Sequence, residues 1–503
     1  MKIETSTWDH RNTWQSQSGE TITRPGADNL FLMGGASSDY TPHAGFSLKL
    51  QFVDSTIHYI LATNHQVDPA FLEMHVIDEN LSNTKRKQVI KLGWDEPIRA
   101  ISHAIVNGQI IISGPNIPTL WGYTGSGLIV ADKENSVNPA VETLAMPNGI
   151  CVGWYDRCVI AKGEALFISE PMAPRTYTVG GYRGLNATVY GVHVSPSGAL
   201  VAVTAGGVYG LDSQAAAQGA KVIGAMTKLS DYRAVGYGRT AMTPFGLFGL
   251  TKRGVKRIDI EGAEEVLLSD KTYVRSLSDM ISFPDYREGR LYSTSSGLAV
   301  SVGTLDQDDD GAFGGGICML DLERGIKSWW TQKGITRIIG VMQENEGDDI
   351  FLMERAAGSG SEACVYKYHL DYDSDDPSSQ YFGGVAGVMV ANAELSPVIR
   401  AIYTEADNGG ALLRSAVRGE YRKNNGSNQE IVTDTNGVII GVDEWKATAA
   451  GTKRLKTREL DSYRFQFAKR TNDISVETSA QGGKVRIGSM SLATGGYGQG
   501  RPT

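Results

Sequence analysis

The stretch VAVTAGGVYGLD, residues 201–212, decides the fold of this chain. An apolar run ends on small and polar residues and a glycine, and Val208 then opens a second apolar run. Gly207 therefore lies where a hairpin turn requires a positive φ angle, which a Cβ atom penalises. The stretch predicts two antiparallel strands joined by a tight turn.

The same design occurs twice more along the chain. It recurs in FGLTKRGVKRID (248–259) and in MLDLERGIKSWW (319–330), where Gly254 and Gly325 take the turn position. Self-similarity of this kind is typical of a fold that grows by adding one structural unit after another. The three hairpins therefore predict a repeat architecture.

Short apolar runs rich in Ile, Val, Leu, Tyr and Phe support that interpretation. Their mean step is about 49 residues, since they begin near residues 55, 108, 164, 198, 245, 289 and 348. One four-stranded antiparallel blade of a β-propeller takes roughly 40 to 50 residues. The spacing favours an all-β fold, a β-propeller of about six to seven irregular blades, over a set of sandwiches or a solenoid.

Glycine is the outlier of the composition. The chain has 60 glycines in 503 residues, about 12% against roughly 7% in average proteins. They are scattered between the apolar runs, which indicates many tight turns and short strands. The formal net charge of −8 argues against a protein that coats nucleic acid through a basic surface.

The cysteines indicate buried thiols in a reducing compartment. None of Cys151, Cys158, Cys318 and Cys364 belongs to a C-x-x-C pair, so neither a disulfide framework nor a zinc cluster is expected. The sequence has no apolar leader and no run of 18 apolar residues. We therefore expect no signal peptide and no membrane span, and we expect synthesis in the cytoplasm.

The chain divides into three expected parts. Residues 1–45 form an N-terminal arm or platform contribution, residues 46–375 the propeller, and residues 380–503 a C-terminal antiparallel β-domain, either a platform or a sandwich. The composition turns acidic and polar in DYDSDDPSSQYFGG, residues 371–384, as at a domain exit. Beyond it, residues 459–470 alternate between apolar and polar side chains as in a strand.

The stretch GEALFISEP, residues 163–171, raises the question of a nucleophile with its helper at Ser169 and Glu170. Neither an elbow glycine pattern nor a nearby histidine accompanies the pair. Because prolines lack the amide donor of a ladder strand, we expect GEALFIS to be a buried blade strand. We expect residues 170–177, EPMAPRTY, to be an exposed connection that crosses the propeller face.

One acidic loop is a candidate metal site. DQDDDG, residues 306–311, places Asp306, Asp308 and Asp310 before a glycine, as in the first half of a calcium loop. The twelfth position is Ile317, which lacks the bidentate carboxylate of such a loop. A solvated acidic loop is the alternative interpretation, and we favour it.

Enzyme signatures are missing from the sequence. The eight histidines form neither H-x-x-x-H nor H-x-H, and a P-loop and a G-x-S-x-G elbow are absent. A propeller glycosidase, in which two facing carboxylates suffice, is the enzyme class left open. We expect a non-enzymatic protein without a cofactor.

Three segments resemble successive stretches of the tail-nozzle proteins of short-tailed bacteriophages. They are NGQIIISGPNIPTLWGY (107–123), GEALFISEPMAPRTYTV (163–179) and GALVAVTAGGVYGLD (198–212). In the first two, a strand leads to a proline and then an aromatic, Pro115 with Trp121 and Pro171 with Tyr177. In the third, Gly207 is followed by valine and tyrosine. The resemblance covers about residues 95–340.

This resemblance implies a structural virion protein. Such a nozzle is a homo-hexamer below the portal and adaptor, carries or contacts tail fibres, and extends the channel through which double-stranded DNA passes without sequence-specific binding. It would be located in the virion tail after assembly in the host cytoplasm. A propeller lectin, glycosidase or depolymerase is the main alternative, and a cytoplasmic WD-like scaffold is a second one.

Overall fold

The computed structural model describes the backbone of the strands given below. It describes side chains in residues 100–122, 147–211, 224–251, 255–258, 289–301, 317–322, 338–341 and 349–354 and at a few single positions outside them. These residues contain strands and turns and no helix. The N-terminal strands are β1 (Lys2–Ile3), β2 (Trp8–Arg11), β3 (Thr13–Gln15), β4 (Thr21–Thr23) and β5 (Gly26–Met33).

Seven antiparallel sheets, which we call blades I to VII, follow one another along the chain. Blade I comprises β6 (Gly45–Gln51), β7 (Ile57–His65), β8 (Phe71–Asp78) and β9 (Thr84–Lys91); blade II comprises β10 (Ser102–Val106), β11 (Gln109–Gly114), β12 (Ile117–Tyr123) and β13 (Ile129–Ala131). Blade III comprises β14 (Thr143–Leu144), β15 (Ile150–Trp154), β16 (Arg157–Lys162), β17 (Ala165–Glu170) and β18 (Ala173–Gly184), with β14 outside β18.

The later blades keep the same meander. Blade IV comprises β19 (Val189–Val194), β20 (Leu200–Thr204), β21 (Val208–Leu211) and β22 (Thr227–Ser230); blade V comprises β23 (Thr240–Thr243), β24 (Gly246–Thr251), β25 (Gly254–Ile258) and β26 (Glu264–Leu268). Blade VI comprises β27 (Arg290–Ser293), β28 (Gly297–Thr304), β29 (Gly315–Asp321) and β30 (Ile326–Thr331). Blade VII comprises β31 (Ile335–Met342), β32 (Ile350–Ala357) and β33 (Gly360–His369), and the N-terminal β5 is its fourth strand.

The core lies in layers between successive blades. In β20 every side chain is buried, and the alternation of a strand divides them: Leu200 and Ala202 pack against blade III, whereas Val201 and Val203 pack against blade V. The same division holds at the II–III, V–VI and VI–VII junctions. A strand that is buried on both faces has apolar residues at consecutive positions. This explains why the apolar runs of the sequence are not interrupted by alternating polar residues.

The first strands of the blades carry the junctions. Contacts join β10 to β15, β15 to β19, β19 to β23, β23 to β27, β27 to β31, and β31 to β6. In the part of the chain that the structure describes, the contact between blades I and II that would complete the ring is not seen. This order of four-stranded meanders, with apolar layers between them, defines a β-propeller, and the prediction of that fold is confirmed.

The C-terminal strands form sheets together with the N-terminal ones, and their own pairings are antiparallel. They are β34 (Phe382–Val390), β35 (Val398–Asp407), β36 (Leu412–Arg422), β37 (Asn428–Glu430), β38 (Lys446–Ala447), β39 (Asp461–Arg470), β40 (Asp473–Gln481) and β41 (Arg486–Gly495). One sheet has the order β3-β4-β41-β35-β39, with β1 also on β41. The other extends blade VI in the order β30-β2-β34-β40-β36-β37, with β38 also on β36. The expected domain boundaries stay predictions.

The segment after Ser169 differs from the expectation. GEALFIS contains the buried strand β17, but residues 170–177 do not cross the propeller face, because Pro171 and Met172 form a tight turn and β18 returns along β17. Pro174 fits into β18 since the pairing skips from Ala173 to Tyr177, and a bulge leaves no ladder bond for the missing amide.

Candidate functional site: the turn face of the propeller

The two ends of the propeller differ in chemistry. We call the end that holds the hairpins between first and second strands the turn face, and the end that holds the connections between blades the connection face. Because blades I to VI are meanders, the hairpin between the third and fourth strands of each also lies on the turn face. In blade III the turn face therefore presents both residues 155–156 and residues 171–172.

Two bulky residues of this face have a backbone conformation that favours glycine. Tyr155 has a φ of 52° and Met172 a φ of 59°, and such values are genuine outliers for large side chains. Glu170 pairs with Ala173, so Met172 is the third residue of a turn whose second residue is proline. That position of a type II turn normally holds glycine or asparagine.

Both side chains are nevertheless exposed. Tyr155 is 49% and Met172 54% exposed, and Ile105 of blade II and Phe245 of blade V are further exposed apolar residues of this face. Ile105 lies beside blade III, since a Cβ on Gly153 would be 3.1 Å from the carbonyl oxygen of Ile105. The turn face thus presents apolar surface at blades II and III.

Hydrogen bonds fasten three turns to one another. The amide of Met172 donates to the carbonyl oxygen of Asp156 at 2.8 Å. The side-chain amide of Asn107, in the Asn-Gly hairpin of blade II, donates to the carbonyl oxygen of Met172 at 3.1 Å. Blades II and III therefore present one connected surface at this end.

A buried polar network supports the surface from below. Arg157 is 1% exposed, and its Nη1 donates to the carbonyl oxygen of Ser169 at 2.9 Å. Burial lowers the pKa of Arg157 below its ordinary value. The negative charges of Asp156 and Glu170 raise this pKa but do not cancel the effect of burial. Thr178 donates to Glu170 Oε1 at 2.6 Å. The network holds the ends of β16, β17 and β18 in place.

Ser169 has a structural role in this network. It is fully buried. Its Oγ accepts the amide of Cys158 at 2.9 Å and donates to the carbonyl oxygen of Glu170 at 3.1 Å. Because both bonds go to backbone groups and no base contacts the hydroxyl within this network, the pair Ser169–Glu170 lacks the geometry of a nucleophile with its base.

The described cysteines are also buried, and His103 and His193 are partly buried. Cys151, Cys158 and Cys318 are free and buried, as expected, and burial raises the pKa of Cys151 to about 12. Such a thiol is protonated and unreactive at neutral pH. His193 Nε2 lies 2.9 Å from Thr240 Oγ1 across the IV–V junction, and burial lowers the pKa of His103 and of His193 to about 4 each.

The predicted site residues fall in different places. Asp306, Asp308 and Asp310 lie outside the described residues, as does Gly325. Gly207 has a φ of 153° in the hairpin between the second and third strands of blade IV, and Gly254 opens β25 at the equivalent hairpin of blade V. The strands on either side of position 325, β29 and β30, are the third and fourth strands of blade VI, whereas the other two hairpins join second and third strands.

Sequence reasoning missed Tyr155 and Met172. The signal for the first turn was present, since two residues separate the apolar runs ICVGW and RCVIAK. The proline before Met172 likewise indicated a type II turn. The positive φ was not predictable from these residue types, because neither tyrosine nor methionine favours it.

Among the described residues, no group of three or more His, Cys, Asp or Glu side chains is placed to hold a metal ion. In the same part of the chain, no helix is long and apolar enough to cross a membrane.

Comparison with known proteins yields similar folds only. Neither a protein-family model nor a curated protein matches the chain. YCF48 from Cyanidioschyzon merolae is 9% identical with a TM-score of 0.39, covering 69% of this chain and 100% of that one. The WD40 β-propeller domain of Doa1 is 10% identical with a TM-score of 0.35, covering 68% and 97%.

PorZ, a surface component of the type-IX secretion system of Porphyromonas gingivalis, is 12% identical with a TM-score of 0.35. The match covers 74% of this chain, which spans 44% of the length of PorZ. The assignment of the propeller rests on the sheet order and the apolar layers given above. The resemblance to tail-nozzle proteins stays a prediction.

Proposed function

We propose that the chain is a structural virion protein, the nozzle subunit of a short bacteriophage tail. In this role it forms a homo-hexamer below the portal and adaptor, contacts tail fibres, retains the packaged DNA and guides its ejection. It acts in the virion after assembly in the host cytoplasm, without a cofactor and without catalysis.

The observation that supports the proposal most is the interweaving of both ends of the chain with the propeller. Strand β2 pairs in parallel with β30 and antiparallel with β34, so one sheet runs from blade VI into the C-terminal strands. Strand β5 completes blade VII, and β1 and β4 pair with β41. Backbone ladders across the parts suit a subunit that must resist axial force from packaged DNA.

The net charge suits a DNA channel. Six copies at −8 each carry −48, and an acidic lumen would repel phosphates and let the genome slide past. The guanidinium of Arg157, the hydroxyl of Ser169 and the described cysteine thiols are buried inside the chain. This also fits a protein whose polar groups serve packing and assembly.

Negative-stain imaging of the purified chain, mixed with the products of its neighbouring genes, tests the proposal. We expect a ring with six-fold symmetry attached to the portal and adaptor. A chain that binds none of those products would contradict the nozzle function. Degradation of capsular polysaccharide by the purified chain would instead support the glycosidase or depolymerase alternative.

A further inference from the structure

We infer that Arg183 closes the outer edge of blade III against the addition of another strand. In the described part of the chain, β14 pairs with β18 only at Tyr177 and Thr178, and the remainder of β18, residues 179–184, is the outermost strand of the blade. We call these six residues the open edge. The inference goes beyond the nozzle function and does not depend on it.

The register of β18 shows which backbone groups of the open edge point outward. The amide of Leu185 donates to the carbonyl oxygen of Glu164 at 2.8 Å. Hydrogen-bonded and non-hydrogen-bonded pairs alternate along an antiparallel ladder. The pair that Arg183 forms with β17 is therefore hydrogen-bonded, and the pairs on either side of it are not. The backbone amides and carbonyls of Tyr182 and Gly184 consequently point away from β17.

An edge of this kind can pair with another chain. A row of outward amides and carbonyls is a template for an added strand, above all where the strand also exposes apolar side chains. Gly180 and Gly184 are exposed, and Val179 and Tyr182 are 55% and 48% exposed. The open edge therefore offers an added strand both backbone groups and apolar surface.

The guanidinium of Arg183 lies across this edge. Its Nη1 donates to the carbonyl oxygens of Gly180 at 2.7 Å and of Tyr182 at 2.6 Å. Its Nε donates to the carbonyl oxygen of Gly224, between the third and fourth strands of blade IV, at 2.8 Å. Two acceptors of the open edge are thus occupied, and the third bond anchors the guanidinium to the next blade. An incoming strand would have to break charge-assisted hydrogen bonds, which are about twice as strong as neutral ones.

A second copy of the chain is the strand that would pair with the edge once Arg183 is removed. A two-fold axis at position 183 would place Tyr182 of each copy opposite Gly184 of the other. The outward amides and carbonyls of the two copies would then exchange hydrogen bonds. Such an interface uses the same surface on both copies and stops at two.

Charge works against this pairing. Loss of one arginine changes the formal net charge of each copy from −8 to −9 and so increases the repulsion between copies. Association of a variant that lacks Arg183 would therefore come from the backbone of the edge, since electrostatic attraction does not favour it.

Sedimentation velocity of the full chain over a concentration series tests the inference. Arg183→Ala should produce a species with twice the mass of the wild-type species. Its self-association should be at least about tenfold tighter than that of the wild type, a gain of about 1.4 kcal/mol. The matched charge control is Arg233→Ala, which removes an exposed arginine between blades IV and V and should keep the wild-type mass.

Variants at position 184 separate edge pairing from misfolding. Gly184→Pro removes an outward amide and no bond to β17, and a Cβ at this position would lie 3.8 Å from Oη of Tyr182, so it fits. Arg183→Ala with Gly184→Pro should keep the wild-type mass. Arg183→Ala with Gly184→Ala, which retains the amide, should double it.

The inference is overturned if Arg183→Ala keeps the wild-type mass at every concentration, or if Arg233→Ala doubles its mass as well. It is also overturned if the variant with Gly184→Pro associates like Arg183→Ala, because a misfolded chain would aggregate without regard to that amide. Binding of the wild type to neighbouring tail proteins is measured separately, and its outcome decides the nozzle function alone.

Discussion

At the scale of single residues, the tight turns follow a pattern that the glycines revealed only in part. Thr204 precedes Gly207 by three positions, and its hydroxyl accepts the amides of Gly206 and Gly207 at 3.0 Å each. The same arrangement recurs in residues 243–246 and 294–297, where the threonine hydroxyl accepts the amide of Phe245 and of Gly297. A search for Thr-x-x-Gly would have found more turns than the three hairpins did.

Tyr155 and Met172 show the limit of prediction at this scale. Turn positions were readable from glycine, proline and the lengths of the gaps, because their backbone preferences are local. Met172 is held between two other turns, because its amide donates to Asp156 and its carbonyl oxygen accepts from Asn107, and no local pattern encodes such contacts.

Gly207→Ala should destabilise the protein more than Gly163→Ala does. A Cβ at Gly207 would lie 2.8 Å from the carbonyl oxygen of Ser230, on top of an unfavourable φ. A Cβ at Gly163, with a φ of 58°, would have nothing within 4 Å. We expect Gly207→Ala to lower the free energy of unfolding by about 2–3 kcal/mol and Gly163→Ala by about 1 kcal/mol. Urea denaturation measures both, and equal losses would contradict the steric argument.

At the scale of strands, the spacing of the apolar runs predicted the blade repeat because most of the runs are the second strands of blades. Those strands begin at residues 57, 109, 157, 200, 246, 297 and 350, in steps of 43 to 53 residues. The expected starts at 164 and 289 lie instead beside the third strand of blade III and the first strand of blade VI. This explains the irregular steps of the sequence, since any strand of a blade can be apolar enough to stand out.

The first strands make stability depend on pH through His103 and His193. Burial lowers the pKa of each to about 4 from the ordinary value of 6.5, so between these values the unfolded chain binds more protons than the folded one. The free energy of unfolding should therefore fall as the pH drops from about 6.5 to about 4, and the contribution is complete above that window. Urea denaturation at pH 7, 6, 5 and 4.5 measures the slope.

Substitution separates the histidines from other acid-sensitive groups. His103→Gln with His193→Gln should flatten the slope between pH 6.5 and pH 4. Thr240→Val keeps His193 and removes the hydroxyl 2.9 Å from its Nε2. It should therefore lower the free energy of unfolding at each pH and leave the slope of that free energy against pH unchanged. An unchanged slope in the double glutamine variant would show that other groups cause the acid sensitivity.

At the scale of the whole molecule, the pairing of the chain ends was beyond the reach of sequence patterns. Strand β5 pairs with β33, more than 300 residues further along the chain, from Met33 opposite Ala363 to Gly26 opposite His369. Residues 1–45 contain few apolar runs, so they were expected as an arm or a platform contribution. Local periodicity predicts that a strand exists, but it does not predict which distant strand pairs with it.

Removing residues 1–34 should expose the outer edge of blade VII and leave the middle blades folded. Half of the amides of β33 (Gly360–His369) face β5, and in the truncated chain they lose their acceptors. Hydrogen exchange followed by mass spectrometry should show at least about tenfold faster exchange in β33, equal to about 1.4 kcal/mol of lost protection. Strand β20, buried between blades III and V, should keep its protection.

A synthetic peptide of residues 24–35, added to the truncated chain, should restore the protection of β33, because it supplies the backbone partner of that strand. The same peptide with Phe31→Pro is the matched control, since proline lacks the amide at the position opposite Val365. If β33 exchanges equally fast in the full-length and truncated chains, β5 does not complete the blade. If both peptides protect equally, the protection does not come from strand pairing in this register.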